Sequence, residues 1–193
     1  MRIEAVRHAA VLVFGRKGYA ATTLREVLAV SGGSKSTLRK YFGGKQGLFA
    51  AVIGEATDRF VAEAHFSDQR GAPVEVLEAL GRRVLAFYVR HDALQAYRGV
   101  VSGGFRDPRV ARIFHQRGHA VVREALAVRI GEWTRAGLIA SDDATADADA
   151  FLHLLRAGCH EEILIGLRAR TSARELGQVA RHATRIFLRG VSV

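Results

Sequence analysis

Apolar residues recur at three- and four-residue spacing along almost the whole chain. No stretch holds the two-residue alternation of a half-buried strand. That pattern predicts an all-α protein. Only two prolines occur, Pro73 and Pro108, and each stands where a new helix can begin. Residues 2–17 form a first amphipathic segment, with Ile3, Val6, Ala10, Val13 and Phe14 on one face and Gly18 placed to end it. Thr23 with Glu26 three residues later has the form of a capping box, so a short second helix is expected from Thr23 to Val30. Ser31-Gly32-Gly33 breaks it. Ser34 can cap a third short helix over 35–41, which Gly43-Gly44 ends. A long fourth helix begins near Lys45, with Leu48, Phe49, Val52, Ile53 and Phe60 as its apolar side. Further helices are expected at 73–90, 92–104, 108–136, 144–168 and 172–189.

The charge is uneven. The chain carries a formal +10, which points to a polyanionic partner, either nucleic acid or an anionic membrane surface. Residues 1–50 hold nine Lys/Arg against two Glu and so carry +7, whereas the remaining 143 residues carry only +3. All four lysines (Lys17, Lys35, Lys40 and Lys45) fall in the first segment, which places the polyanion site there. With Cys159 as the single cysteine, no intrachain disulfide is possible, and a reducing cytoplasm is the expected location. Charges interrupt the first apolar run, unlike a signal peptide, and no run of roughly 18 apolar residues exists to span a membrane.

The stretch SGGSKSTLRKYFGGK, residues 31–45, is basic, glycine-rich and free of acid. Its chemistry suits phosphate, either of a nucleotide or of DNA. A nucleotide P-loop needs glycine directly before the lysine and a second glycine five residues earlier, following a buried strand. Here Ser34 precedes Lys35, Ala29 and Val30 occupy the earlier region, and a helix comes before. DNA fits better. Two short helices joined by a tight turn at Gly32 describe a helix-turn-helix. Val27, Leu28 and Leu38 can form the small apolar contact between them. The second helix then turns Lys35, Ser36, Thr37, Arg39, Lys40 and Tyr41 outward, which core packing does not explain. Cations and hydroxyls of this kind meet phosphates and base edges. Thr23 and Lys45 stand at helix N-termini, where the dipole also favours phosphate. The plain alternative is a solvated basic face.

Residues 9–49, AAVLVFGRKGYAATTLREVLAVSGGSKSTLRKYFGGKQGLF, resemble the N-terminal signature of the TetR family of transcriptional regulators. Phe14, Gly18, Tyr19, Thr22, Thr23, Gly32, Ser34, Thr37, Leu38, Phe42, Lys45 and Leu48 carry the match. Three positions depart from it: Leu28 stands in place of an alanine, Gly33 in place of a valine, and Arg39 in place of a tyrosine. The first two could loosen or shift the packing of the two helices. More weakly, GGFRDPRVARIFHQRG and AGLIASDDATADADAFLHLLRAG are similar to the AcrR/AefR-like C-terminal domain. The resemblance implies a three-helix helix-turn-helix domain over 1–48 and a larger helical ligand-binding and dimerisation domain over 49–193. It also implies a homodimeric repressor on a palindromic operator, with a small-molecule effector. In this reading Thr23, Tyr41 and Lys45 grip phosphates, Lys35, Ser36, Thr37 and Arg39 are candidates for base contacts, and Lys40 adds to the DNA face. Phe151, Leu155, Ile163 and Leu167, with Val179, Ala183, Ile186 and Phe187, are available for a dimer seam.

Other residues carry weaker signals. Phe87, Tyr88, Tyr97, Phe105, Phe114 and Phe151, with His119, could line an effector pocket, although most aromatics belong to the core. His115 and His119 lie four apart but lack a third and fourth metal ligand, so no metal and no cofactor is expected. Cys159 and His160 are adjacent on a helix and point in different directions, which is no ready-made catalytic pair. Two alternatives to the effector-responsive repressor remain. One is a DNA-binding regulator that lacks an effector or activates. The other is an enzyme using the C-terminal cavity.

Overall fold

The computed structural model describes residues 3–66, 71–104 and 107–191. Every regular element among them is helical: α1 (Ile3–Ala21), α2 (Leu24–Ser31), α3 (Lys35–Phe42), α4 (Lys45–Ala64), α5 (Pro73–Tyr88), α6 (His91–Gly104), α7 (Pro108–Phe114), α8 (Ala120–Arg135), α9 (Ala144–Arg156), α10 (Cys159–Ile165) and α11 (Ala173–Gly190). A π-helical turn, His115–His119, joins α7 to α8. The chain forms two compact units, Met1–Arg59 with Arg90–Ala120, and Phe60–Val89 with Val121–Val193.

In the first unit the expected face of α1 is buried: Val6, Ala9, Ala10, Val13 and Phe14 join Val27, Leu38, Leu48, Phe49, Val52, Ile53 and Val110 in one core. Gly18 interrupts α1 at φ 73°, as its position in the sequence predicts. Thr22 is buried there because its hydroxyl donates to the Gly18 carbonyl at 2.8 Å. α6 packs on α1. The approach is close at Gly99, where a β-carbon would lie 3.1 Å from the Tyr19 nitrogen. Phe14 stacks on Tyr19 at a centroid separation of 6.0 Å, and Phe49 meets both rings edge-on at 5.5 and 4.9 Å.

In the second unit Val76, Leu77, Leu80, Val84 and Leu85 of α5 meet Phe151, Leu152 and Leu155 of α9 and Ala180, Ala183 and Phe187 of α11. Gly81 lets α5 and α11 close up, since a β-carbon there would sit 3.1 Å from both Ala180 Cβ and Leu155 Cδ2. Val191, the residue after α11, accepts a hydrogen bond from the Ala140 nitrogen at 2.8 Å.

Two expected helices differ. The segment 144–168 is not continuous: α9 ends at Arg156, Ala157 is extended, and Gly158 turns the chain at φ 79° before α10. The expected 108–136 helix runs from Pro108 to Arg135, but its hydrogen bonds slip by one residue over His115–His119.

Candidate nucleic-acid interface

The reading head is built from local signals. Thr23 starts α2 through a complete capping box. Its hydroxyl accepts from the Glu26 nitrogen at 3.3 Å, and its own nitrogen donates to Glu26 Oε2 at 2.8 Å. The Thr23 hydroxyl proton also goes to Glu26 Oε2, at 2.9 Å. Both Thr23 donors therefore engage Glu26, and the role visible for Thr23 is to organise α2. Lys17 pairs with Glu26 as well. That ammonium, together with the Thr23 donors, holds the Glu26 carboxyl down to about 2.

Gly32 follows α2 at φ 71°, and its nitrogen donates to the Leu28 carbonyl at 2.8 Å. Gly33 takes φ 93°. Side chains other than glycine rarely adopt such angles, so the turn requires this pair. Ser34 then caps α3, accepting from the Thr37 nitrogen at 3.1 Å. Leu28 packs against the core, and the two helices remain in contact.

α3 is divided as expected. Leu38 is its one buried residue, while Lys35, Ser36, Arg39, Lys40 and Tyr41 are exposed. Thr37 is half-buried, and its hydroxyl shares a 2.8 Å bond with Ser34; Ser36 does the same. None of the ion pairs among the described residues involves Lys35, Arg39 or Lys40. Three cations on two helical turns therefore face solvent without a carboxylate.

Gly43 ends α3 in the left-handed region, and α4 starts two residues on. Lys45, in the first turn of α4, is half-buried. Its ammonium lies 4.4 Å above the Tyr19 ring and donates to the Ala20 carbonyl at 3.1 Å. Burial lowers its pKa, against the pull of Glu26. An open depression of about 500 Å³ surrounds it, lined by Tyr19, Phe42, Gly43, Gly44, Gln46 and Gly47. Gln46 bonds to Asp107 at 2.5 Å, which brings the start of α7 to the start of α4. Sequence reasoning missed Gln46, Asp107 and Arg109. An Asp before Pro108 is a helix-start signal, but nothing in the sequence says that it reaches a residue 61 positions away.

Residues 6–52 match the profile of bacterial regulatory proteins of the tetR family. Residues 75–190 match the C-terminal domain of AefR-like transcriptional repressors. The chain belongs to the TetR family.

It is thus a DNA-binding transcriptional regulator. Solved structures agree. A Mesorhizobium loti protein assigned to the TetR family is 25% identical with a TM-score of 0.85, over 98% of this chain and 96% of that one. The flavonoid-responsive regulator FrrA is 26% identical with a TM-score of 0.75, over the same shares. A TetR regulator from Agrobacterium tumefaciens is 24% identical with a TM-score of 0.80, over 97% and 92%. No curated protein matches the chain.

The candidate effector residues of this TetR-family chain divide between the two units. In the second unit Phe87 stacks on Phe60 at 4.5 Å. Tyr88 lies under the Arg156 guanidinium, 4.9 Å from its ring centre, and 5.8 Å from the ring of His160. Burial, reinforced by Arg156, pushes the His160 imidazole down to about 4. His160 and Arg156 are the polar residues that the sequence reading did not place beside Tyr88. Phe151 is fully buried and packs edge-on against Phe187 at 5.4 Å. In the first unit Tyr97 and Phe114 meet edge to face at 5.7 Å, and the His115 and His119 rings are 5.8 Å apart. Phe105 lies outside the described residues.

The seam residues also separate. Phe151, Leu155, Ile163, Ala183 and Phe187 are enclosed by this chain's own helices, so their surface is already in contact. Val179 is partly buried against that core. Leu167 and Ile186 are exposed, at 76% and 42%. Burial pushes the Cys159 thiol pKa up, which suits a structural cysteine rather than a nucleophile. No helix among the described residues is long and apolar enough to cross a membrane.

Proposed function

We propose that the protein is an effector-responsive repressor that binds a two-fold operator as a homodimer. One α3 would enter the major groove of each half-site, about 34–36 Å apart for successive turns of B-DNA. The observation that carries this reading is the set of Lys35, Arg39 and Lys40, exposed on a capped helix without a carboxylate partner. Lys35, Ser36, Thr37 and Arg39 are assigned to base edges, and Lys40, Tyr41 and Lys45 to phosphates. Thr23 acts by setting α2. Residues 1–48 serve as the DNA-binding part, and 49–193 as the effector and dimerisation part.

The likeness to a flavonoid-responsive regulator supports a small aromatic effector. Tyr88, with Arg156 and His160 beside it, offers polar groups for such a molecule. Tyr97, Phe114 and His119, which belong to the first unit, are a separate candidate set for such a molecule. The effector acts only through a difference in its affinity for the DNA-competent and incompetent states. Leu167, Ile186 and Val179 are the assigned seam residues. The family describes regulators, so no catalytic residue is assigned, and the proposed location is the cytoplasm.

A mobility shift with DNA upstream of the protein's own gene, in excess non-specific competitor, tests the reading. The expected result is a competitor-resistant shift that is lost in the Arg39→Ala, Lys40→Ala variant. A shift unchanged in that variant would overturn the assignment of α3.

A further inference from the structure

We propose that Arg109, outside the helix-turn-helix, is an additional contact to the DNA phosphate backbone, aimed by Asp107 beside the Lys45 grip. The inference rests on the DNA-binding reading above. Its geometry is a single carboxylate with two sets of partners. Asp107 Oδ1 accepts from the Arg109 nitrogen at 3.2 Å and from Arg109 Nε at 2.9 Å. Asp107 Oδ2 accepts from Arg109 Nη2 at 3.3 Å and from Gln46 Nε2 at 2.5 Å. Gln46 is the residue after Lys45. One side chain therefore caps α7, ties it to the first turn of α4, and holds the Arg109 guanidinium.

Arg109 is the exposed member of this group, at 72% for its side chain, whereas Asp107 is at 27%. Two of the five guanidinium donors engage Asp107, which leaves three directed away from it. A planar guanidinium held in one orientation suits phosphate oxygens, and its rotamer freedom is already restricted before DNA arrives. Tyr19 lies under Lys45 and feels both partners. After burial, the Asp107 charge raises the Tyr19 hydroxyl pKa and the Arg109 charge lowers it. The first compact unit contains this cluster together with α3 and the start of α4.

Two roles for Arg109 must be separated. It could donate to a phosphate, or it could only neutralise Asp107, whose bare charge would repel one. The test is binding of the full-length protein to a labelled random-sequence duplex, by anisotropy, as a function of salt. Each phosphate contact contributes about 0.9 to the slope of log affinity against log salt on B-DNA. Arg109→Gln is expected to lower the slope by about 0.9, and Lys45→Gln to do likewise. Arg59→Gln removes the same charge about 21 Å further along α4 and is expected to leave the slope unchanged.

The double variant Asp107→Asn, Arg109→Gln decides the point. Asparagine still caps a helix and still accepts from Gln46. A double variant that keeps the reduced slope supports the contact. A double variant that binds as the parent protein does, with the parent slope, overturns it and leaves Arg109 as a neutralising partner. An unchanged slope in Arg109→Gln, with Lys45→Gln lowered, overturns it as well. Absence of binding by the parent protein would instead overturn the DNA-binding reading. Circular dichroism of each variant confirms that the helices are retained.

Discussion

Gly47 lies so close to Phe42 that a β-carbon at position 47 would fall 1.8 Å from the Phe42 carbonyl oxygen. The obstacle is backbone, the last residue of α3, so no side-chain rotation relieves it. Gly47→Ala must therefore separate α4 from α3. The expected loss is about 1–3 kcal/mol of stability, the usual range for overpacking. DNA affinity is expected to fall with it, because Lys45 and α3 lose their common frame. Urea denaturation and anisotropy with a duplex check the two effects.

Glu26 gives a pH dependence with a defined sign. Its carboxyl is lowered from 4.5 to about 2, first by Lys17 and then by the Thr23 donors. A depressed carboxylate contributes stability that is present above its unfolded pKa and lost as pH falls through the folded one. The window therefore runs from about 4.5 down to about 2. Above it, Glu26→Gln is expected to melt at a lower temperature than the parent protein. Across it, the difference should shrink, and below it vanish. Melting curves at stepped pH read this directly.

His160 titrates in a higher window. Its imidazole is lowered from 6.5 to about 4, mainly by burial and then by Arg156. The unfolded chain takes up this proton at a higher pH than the folded one. Stability associated with neutral His160 is thus present above 6.5 and lost as pH falls toward 4. The parent protein is expected to lose melting temperature across that interval, and His160→Gln to show a flatter profile. Equal profiles would sink the assignment.

Burial separates core from seam in the second unit. Phe151 is fully buried, so Phe151→Ala is expected to remove about 3–5 kcal/mol of stability. Ile186 is 42% exposed on α11. Ile186→Arg is therefore expected to leave the helical content of each chain intact and to shift the proposed dimer toward monomer. Light scattering beside circular dichroism distinguishes the two substitutions. A dimer undisturbed by Ile186→Arg would place the seam elsewhere.

Much of the reading head was legible in the sequence because its determinants are local. Thr23 with Glu26, Ser34 before α3, Gly32 in the turn and Gly43 at the end of α3 act within four residues. Those spacings are visible in a one-dimensional string. The division of α3 into one inward leucine and an outward basic face follows from helical periodicity alone. The same reasoning overreached at 144–168, where apolar periodicity continued through Gly158 although the backbone turns there. Periodicity records which faces are apolar, and a glycine that bends the path between two such faces leaves no trace in it.

The sequence by itself determined the all-helical class, the two short helices on either side of Gly32 to within one residue at each end, and the side chains that α3 presents. Those outcomes depend on hydrogen bonds and faces set by neighbours in the chain. Only the tertiary structure decided which apolar residues are enclosed. Phe187 is buried while Ile186, also apolar and one position away, is exposed. Only the tertiary structure brought Asp107 to Gln46, and with it the Arg109 guanidinium that Asp107 holds. Contacts between residues 61 positions apart depend on how helices pack, and no short-range spacing encodes them.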